Sequence, residues 1–575
     1  MWGGALLKTP VIEFENFTWQ YNAQQEPTLH ELDLTVYEGE KVLICGESGC
    51  GKSTLAHCLN GLIPFSYRGE SSGSLRICGK EAKDLSLFDL SKLVGTVLQD
   101  ADGQFVGLTV AEDIAFALEN DAVAQSEMIR RVRAVAEEVN ILSHLEHAPT
   151  ELSGGQKQRV SLAGVMVDDV PIFLFDEPLA NLDPATGKQA IELIDEIKAN
   201  RKATAIIIEH RLEDVLWRDI DRVILMQDGR IVSDTTPDEL LASDLLQKHG
   251  IREPLYVTAL KHAGVRVTAD MLPHSIRTLT LAEEQKAQVR RWFVETPAIE
   301  PLPEQDVLLD ARNISFVYDN GRKALHGIDL TVRKGEMMAI VGRNGAGKST
   351  FSKVVCGFET PQSGTVIFGD TDLKTLSIKE RADHIGYVMQ NPNQMLSKVQ
   401  IFDEVALGLV TRGVSEEEQK GRVEKALRIC GLYPFRNWPV SALSFGQKKR
   451  VTIAAILALD PEMIILDEPT AGQDFRHYTE IMEFLRELNR RGITVVMITH
   501  DMHLMLEYCT RAVVFSEGHK IADGTPADIL TSPDIIEQAN LKETSLYDLA
   551  LLCDIPDPRA FVQRFIDYDR EVRAK

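Results

Sequence analysis

Two stretches of this 575-residue sequence place glycines, a lysine and paired hydroxyls in the order that polyphosphate chemistry needs. Gly46-Glu47-Ser48-Gly49-Cys50-Gly51-Lys52-Ser53-Thr54 and Gly342-Arg343-Asn344-Gly345-Ala346-Gly347-Lys348-Ser349-Thr350 each follow an apolar run and fit a phosphate-binding loop. The glycines let backbone N–H groups approach phosphate oxygens, and a following helix points its positive end at them. Lys52 and Lys348 would neutralise charge on the β- and γ-phosphates, and Ser53 and Ser349 would ligate Mg²⁺. Downstream of each loop, two adjacent carboxylates end an apolar run: Asp176 and Glu177, then Asp467 and Glu468. One of each pair can hold Mg²⁺ while the next polarises an attacking water. Alone, such a pair is more often a solvated turn; its repetition at a matching distance from each loop favours the chemistry.

The elements that must position these groups read as α/β. Val11 to Phe14 and Lys41 to Cys45 have the patterns of strands, and apolar runs at Pro171 to Phe175 and Ala205 to Ile208 read as buried strands. The part between the loop and the acidic pair is helical in pattern. The arrangement occurs twice: Lys52, Gln99, Ser153, Glu177 and His210 recur as Lys348, Gln390, Ser444, Glu468 and His500, offset by 290 to 296 residues. Offsets this constant indicate duplication of a whole domain. The spacing predicts domains over 10–245 and 307–540, a C-terminal tail over 541–575, and a linker with some helix over 246–306, which matches neither copy and ends in a Pro-rich run.

Composition narrows the setting. With 86 acidic and 62 basic residues the formal charge is −24, which disfavours a nucleic-acid partner. No run approaches the roughly 20 apolar residues that cross a bilayer as a helix. The first residues carry no secretory pattern, Gly at position 3 instead of 2 spoils a myristoylation pattern, and the eight cysteines lack paired metal-ligand spacing, so a reducing cytoplasm is expected. Cys50, inside the first phosphate loop near Lys52, is either a packing residue or an activated thiolate.

Between loop and carboxylates lie Leu152-Ser153-Gly154-Gly155-Gln156 and Leu443-Ser444-Phe445-Gly446-Gln447, and with these the sequence resembles the ABC ATPases. The resemblance implies two tandem P-loop NTPase domains, each a RecA-like core with an antiparallel β subdomain and a helical insertion, closing face to face on two ATP molecules. It implies that Ser444, Gly446 and Gln447 serve the site of Lys52, Glu177 and His210, and that Ser153, Gly154, Gly155 and Gln156 serve the site of Lys348, Glu468 and His500. His210 and His500 match the family's switch histidine, Asp183 and Asp474 its D-loop, and Tyr21 and Tyr318 the aromatic that stacks on adenine. Gln99 and Gln390 match its Gln loop, which joins Ser53, Ser349, Asp176 and Asp467 as Mg²⁺ ligands.

The segments from Gln99 to Gly107 and from Gln390 to Gln394 look like loops of the energy-coupling-factor importers. That likeness implies an ATPase at the cytoplasmic face of the membrane, driving uptake of a vitamin, vitamin precursor or metal ion through separate membrane subunits and not touching the solute. Phe105, Val106, Met395 and Leu396 are then either docking anchors for a membrane subunit or core residues. A soluble twin-cassette factor acting on ribosomes or nucleic acid is the alternative, but such proteins usually carry a long, basic, helical linker. A DNA-repair ATPase would need metal-binding cysteine pairs.

Overall fold

The first strand of each copy changes the face it buries part-way along. In Pro10–Tyr21 buried Val11 is followed by buried Ile12 and Phe14 and then by Phe17 and Trp19, so the parity of the alternation switches after Phe14. Asn16, with φ of 46°, makes the switch, and the pairing register shifts there between Phe14 and Phe17. The second copy repeats the device in Val307–Val317, where Asn313 has φ of 51° between buried Ala311 and Ile314. An extra residue in one strand turns the later side chains back to the core that they would otherwise leave.

The computed structural model describes residues 8–98, 103–179, 182–298, 305–470 and 475–574. The chain divides into two units, Met1–Val289 and Arg290–Lys575. In the first, Pro10–Tyr21 lies between Leu29–Tyr37 and Gly69–Ile77 in a four-stranded antiparallel sheet ended by Lys80–Glu81. A six-stranded sheet has the spatial order Arg230–Thr235, Arg222–Gln227, Lys41–Gly46, Thr204–Ile208, Ile172–Asp176, Val94–Val97. Only Arg230–Thr235, at an edge, runs antiparallel to its neighbour. The second unit has the same two sheets, the larger built on Met337–Val341 with Thr494–Ile498 and Met463–Asp467 on one side and Arg511–Ser516 on the other. Lys41–Gly46, Thr204–Ile208, Met337–Val341 and Thr494–Ile498 are buried along their whole length, as strands covered on both faces must be. Phosphate loops, carboxylates and histidines all leave the carboxyl ends of these parallel strands, where open α/β sheets place their ligands.

Helices Val110–Asn120, Gln125–Glu138 and Gly154–Met166 form the insertion of the first unit, and Ile401–Val410, Glu416–Ile429 and Phe445–Leu457 that of the second. The second insertion has its own core, in which Ile401, Val405, Leu409, Val423, Leu427 and Val451 are buried together. Leu396 packs against that core and the Met395 sulfur accepts from the Met389 backbone N–H at 3.2 Å, so this apolar pair serves packing instead of presenting anchors.

Of the region predicted as a linker, residues 246–289 belong to the first unit and the residues that follow to the second. Leu255–His262 buries Leu255, Tyr256, Val257, Ala259 and Leu260, and the Tyr256 hydroxyl donates to the Pro273 carbonyl at 2.6 Å. The boundary between units falls inside the helix Glu283–Glu295, not at the Pro-rich run. The C-terminal stretch is likewise packed: Ser545–Leu552 and Pro558–Ala574 bury Leu546, Leu549, Phe561, Val562 and Phe565. The two extensions correspond. Each unit has a short helix opening on Thr-Pro, at Thr236-Pro237 and Thr525-Pro526, and a later helix containing Leu-Tyr, at Leu255-Tyr256 and Leu546-Tyr547.

Candidate active sites

Each phosphate loop curls back on its own lysine. Lys52 Nζ donates to the carbonyls of Gly46 and Glu47, both at 2.8 Å, and Lys348 Nζ to those of Gly342 and Arg343 at 2.7 and 3.0 Å. Both lysines are buried at the first turn of a helix, Lys52–Leu59 or Lys348–Cys356. Gly51 and Gly347 precede those helices with φ of 105° and 103°, and a Cβ would lie 2.8 Å from Leu29 Cδ2 in one and 2.7 Å from the Ala324 carbonyl oxygen in the other. No side chain fits there, which fixes glycine at these positions. Ser48 and Asn344, Gly49 and Gly345, and Ala346 complete the loops in sequence.

The Cys50 thiol is buried in the loop, and burial pushes its pKa up despite the nearby Lys52 ammonium. This decides for packing over an activated thiolate. We expect a maleimide to leave Cys50 unmodified in the folded chain over minutes, by peptide mass mapping, and to label it after denaturation; rapid labelling in the folded state would contradict the burial.

The carboxylate pairs end Ile172–Asp176 and Met463–Asp467. Glu177 and Glu468 follow with φ of 48° and 46°, a left-handed conformation that is uncommon outside glycine and often marks functional positions. Their backbone N–H groups donate to Ile208 and Ile498, both at 2.9 Å, tying each to the strand that leads to the histidine. His500 Nδ1 lies 2.8 Å from Glu468 Oε1. In the first unit His210 Nδ1 is 3.9 Å from Glu177 Oε1 and 3.1 Å from Glu209 Oε1. Burial, with Glu209 and Asp176 adding repulsion, pushes the Glu177 pKa up to about 7.

Asp467 accepts from the Tyr387 hydroxyl at 2.9 Å and shares a hydrogen bond with Ser349. A serine hydroxyl and a carboxylate are hard oxygen donors, the set that suits Mg²⁺. Among the described residues no group of three or more His, Cys, Asp or Glu side chains is placed to hold a metal. Gln390 is positioned through its carbonyl, which accepts from Lys449 Nζ at 2.9 Å; Gln99 lies outside the described residues, as does Asp474. Lys449 is itself buried and also reaches the carbonyls of Met389 at 3.0 Å and Glu468 at 3.4 Å, so one ammonium joins the segment of Gln390 to the end of the strand Met463–Asp467. Burial lowers its pKa to about 8.

Ser153 and Ser444 cap their helices, accepting from the N–H groups of Gln156 and Gln447 at 3.4 and 3.3 Å, and the two Gln side chains return the bond to the serine N–H groups at 2.8 and 3.0 Å. A Cβ on Gly155 would lie 2.5 Å from Thr186 Cγ2, whereas one on Gly154 would meet only Leu182 Cδ2 at 3.8 Å. The first glycine is therefore replaceable, and Phe445 takes that place in the second copy with 42% exposure. Asp183 caps the next helix by accepting from Thr186 N–H at 3.0 Å. Tyr21 and Tyr318 are half-buried, with hydroxyls 3.1 and 2.9 Å from the phosphate-loop threonines Thr54 and Thr350. Each ring is thus tethered beside its loop. The residues that sequence reading passed over are Glu209, Tyr387 and Lys449; only comparison of the copies, which have Thr499, Thr96 and Gln158 there, singles them out.

Comparison with known proteins agrees with this geometry. The family model described as ABC transporter matches residues 29–180 and 325–471, just over half of the chain. A Clostridium perfringens protein named as an ABC transporter ATP-binding protein is 58% identical over 98% of this chain and 99% of its own length. The chain belongs to the ABC transporter ATP-binding proteins. An Enterococcus faecalis protein of the same description is 58% identical over 99% of this chain and 100% of its own length, and one from Vibrio vulnificus is 52% identical over 98% of both. This ABC ATPase also matches, over residues 243–316, a model described as ATP-binding cassette cobalt transporter, which covers the stretch predicted as a linker. A solved structure of cbiO1 from Clostridium perfringens, described as part of the ABC transporter complex cbiONQ, is 35% identical over 44% of this chain and 100% of that one, with TM-score 0.39. The chain hydrolyses ATP in the service of transport.

Proposed function

We propose that this ATPase is the energy-coupling subunit of an importer of the energy-coupling-factor type, bound at the cytoplasmic face of the membrane and driving uptake of a vitamin, vitamin precursor or metal ion. The observation that carries the reading is the match of residues 243–316 to the cobalt-transporter model, because this packed extension lies outside the two ABC transporter matches. Among the described residues no helix is long and apolar enough to cross a membrane, and in this reading the path for the solute belongs to other subunits.

In this reading the phosphate loops bind ATP, with Lys52 and Lys348 on the β- and γ-phosphates and Tyr21 and Tyr318 beside the base. Ser53, Asp176 and Gln99, or Ser349, Asp467 and Gln390, would hold Mg²⁺, which would neutralise phosphate charge. Glu177 and Glu468 orient the attacking water, and His210 and His500 sense the γ-phosphate. Ser444, Gly446 and Gln447 complete the first site, and Ser153, Gly154, Gly155 and Gln156 the second. Binding favours closure of the two cassettes and hydrolysis releases it, a two-state motion that a membrane partner follows.

Apolar side chains beside the Gln loops suit the partner: Val106 is 62% and Leu108 82% exposed, and in the second unit Val399 is 78% exposed. Phe105 is half-buried and contributes less. Co-expressed with the membrane proteins encoded beside it and extracted in mild detergent, the native chain is expected to purify with them. Val106→Asp with Leu108→Asp, combined with Val399→Asp, is expected to reduce recovery of the partner by about tenfold with ATPase activity kept. A native chain recovered only in the soluble fraction would overturn the reading.

A further inference from the structure

The two switch histidines are held differently, and one residue makes the difference. Glu209 occupies the position of Thr499 in the second copy, each immediately before its histidine. Both leave the sheet in the same way, since the N–H groups of Glu209 and Thr499 donate to Ile44 and Ile340, both at 3.2 Å. The backbones therefore correspond, and the side chains do not. The Glu209 carboxylate is buried and fixed by three backbone donors: its Oε1 accepts from His210 N–H at 2.9 Å and Arg211 N–H at 3.2 Å, and its Oε2 from Leu179 N–H at 3.3 Å. The same Oε1 lies 3.1 Å from His210 Nδ1, while Glu177 Oε1 is 3.9 Å from that nitrogen. Thr499 offers no carboxylate, and its hydroxyl accepts from Asp501 N–H at 2.9 Å. His500 Nδ1 is then 2.8 Å from Glu468 Oε1, within hydrogen-bond range.

We propose that Glu209 is a positioning residue that draws His210 away from Glu177 and makes the first ATP site the slower of the two. The inference rests on the roles given above to Glu177, Glu468 and the two histidines. A carboxylate accepts hydrogen bonds, so Nδ1 must carry the proton in either pairing. In the second unit that N–H is directed at the water-orienting glutamate and fixes its carboxylate. In the first it is directed at Glu209, which cannot follow the chemistry because three backbone N–H groups hold it.

Steady-state hydrolysis by the full-length chain tests this. Glu177→Gln is expected to reduce kcat less than about twofold, because the faster site remains, and Glu468→Gln about tenfold. In the Glu468→Gln background, Glu209→Thr is expected to raise kcat about fivefold with KM for ATP unchanged, a split that a merely structural role would not produce. Thr499→Glu in the Glu177→Gln background is expected to lower kcat by a similar factor, so the inference does not depend on one variant folding. Equal losses in the two single Gln variants, together with unchanged kcat on Glu209→Thr, would overturn it. Where each Gln variant alone abolishes turnover, Glu209→Thr in the otherwise native chain decides, a raised kcat supporting the inference and an unchanged one refuting it. Turnover surviving in the double Gln variant would instead overturn the assignment of the glutamates on which the inference rests.

Discussion

With Glu177→Gln and Glu468→Gln combined, the chain is expected to bind Mg²⁺ and ATP as the native protein does and to hydrolyse it at least about 10²-fold more slowly. An amide keeps the size and hydrogen-bonding reach of the carboxylate but cannot polarise water, so orientation survives and activation does not. The left-handed backbone at both residues, φ 48° and 46°, aims each side chain away from the strand it ends, and the bonds to Ile208 and Ile498 hold it there. The measurement is phosphate release under excess ATP alongside equilibrium binding of a fluorescent ATP analogue. Native turnover in the double variant would remove these residues from the mechanism. Lys52→Ala with Lys348→Ala should show the opposite split, losing nucleotide binding, because each ammonium is the charge that the loop carbonyls of Gly46, Glu47, Gly342 and Arg343 already orient.

Arg570→Met is expected to destabilise the second unit by about 2–4 kcal/mol, since it leaves buried backbone carbonyls without a donor. The Arg570 guanidinium donates to the carbonyls of Leu506 at 3.0 Å, Glu507 at 2.6 Å and Cys509 at 2.8 Å, around the end of helix Met502–Tyr508. That helix begins two residues after His500. Arg573 supports it from the next turn, pairing with Glu507 at 3.0 Å and with Asp569 at 2.8 Å. Methionine keeps most of the apolar stem and removes all three bonds, whereas lysine supplies one charged head without the planar fork and should restore only part of the loss. Amide hydrogen exchange over Met502 to Cys509 and the urea midpoint of the second unit report the effect. Exchange unchanged in Arg570→Met would show that the C-terminal helix does not hold the switch segment.

The phosphate loops, acidic pairs, signatures and histidines were legible because each is a contiguous motif whose chemistry depends on residue type and local backbone. The duplication strengthened each reading by presenting it twice. The extensions were less legible. Over 246–282 the buried residues come in short elements, Leu255–His262 of eight residues and a three-residue turn at Ala269–Met271, too brief to display a sustained helical period. Their apolar residues still form part of the core, among them Ile251, Val265, Val267 and Leu281. The repeated Thr-Pro and Leu-Tyr pairs were the available signal that the C-terminal stretch is the counterpart of this region. Met395 and Leu396 show the converse difficulty, since an apolar pair beside a loop reads alike whether it faces solvent or the core below it.

What the sequence by itself determined is the family and the order of elements that carries the phosphate loops, acidic pairs and histidines, all of which follow from local pattern. The tertiary structure alone decided which side chains meet. Glu209 is adjacent to His210 in the chain, yet its importance lies in reaching Leu179, 30 residues away, and in being closer to that histidine than Glu177 is. Lys449 lies two residues past Gln447 of the signature, yet only folding brings its ammonium to the carbonyls of Met389 and Gln390, about 60 residues earlier. Such contacts depend on distances across the sheet and on which donors burial leaves to be satisfied, and neither quantity is a property of a local stretch of residues.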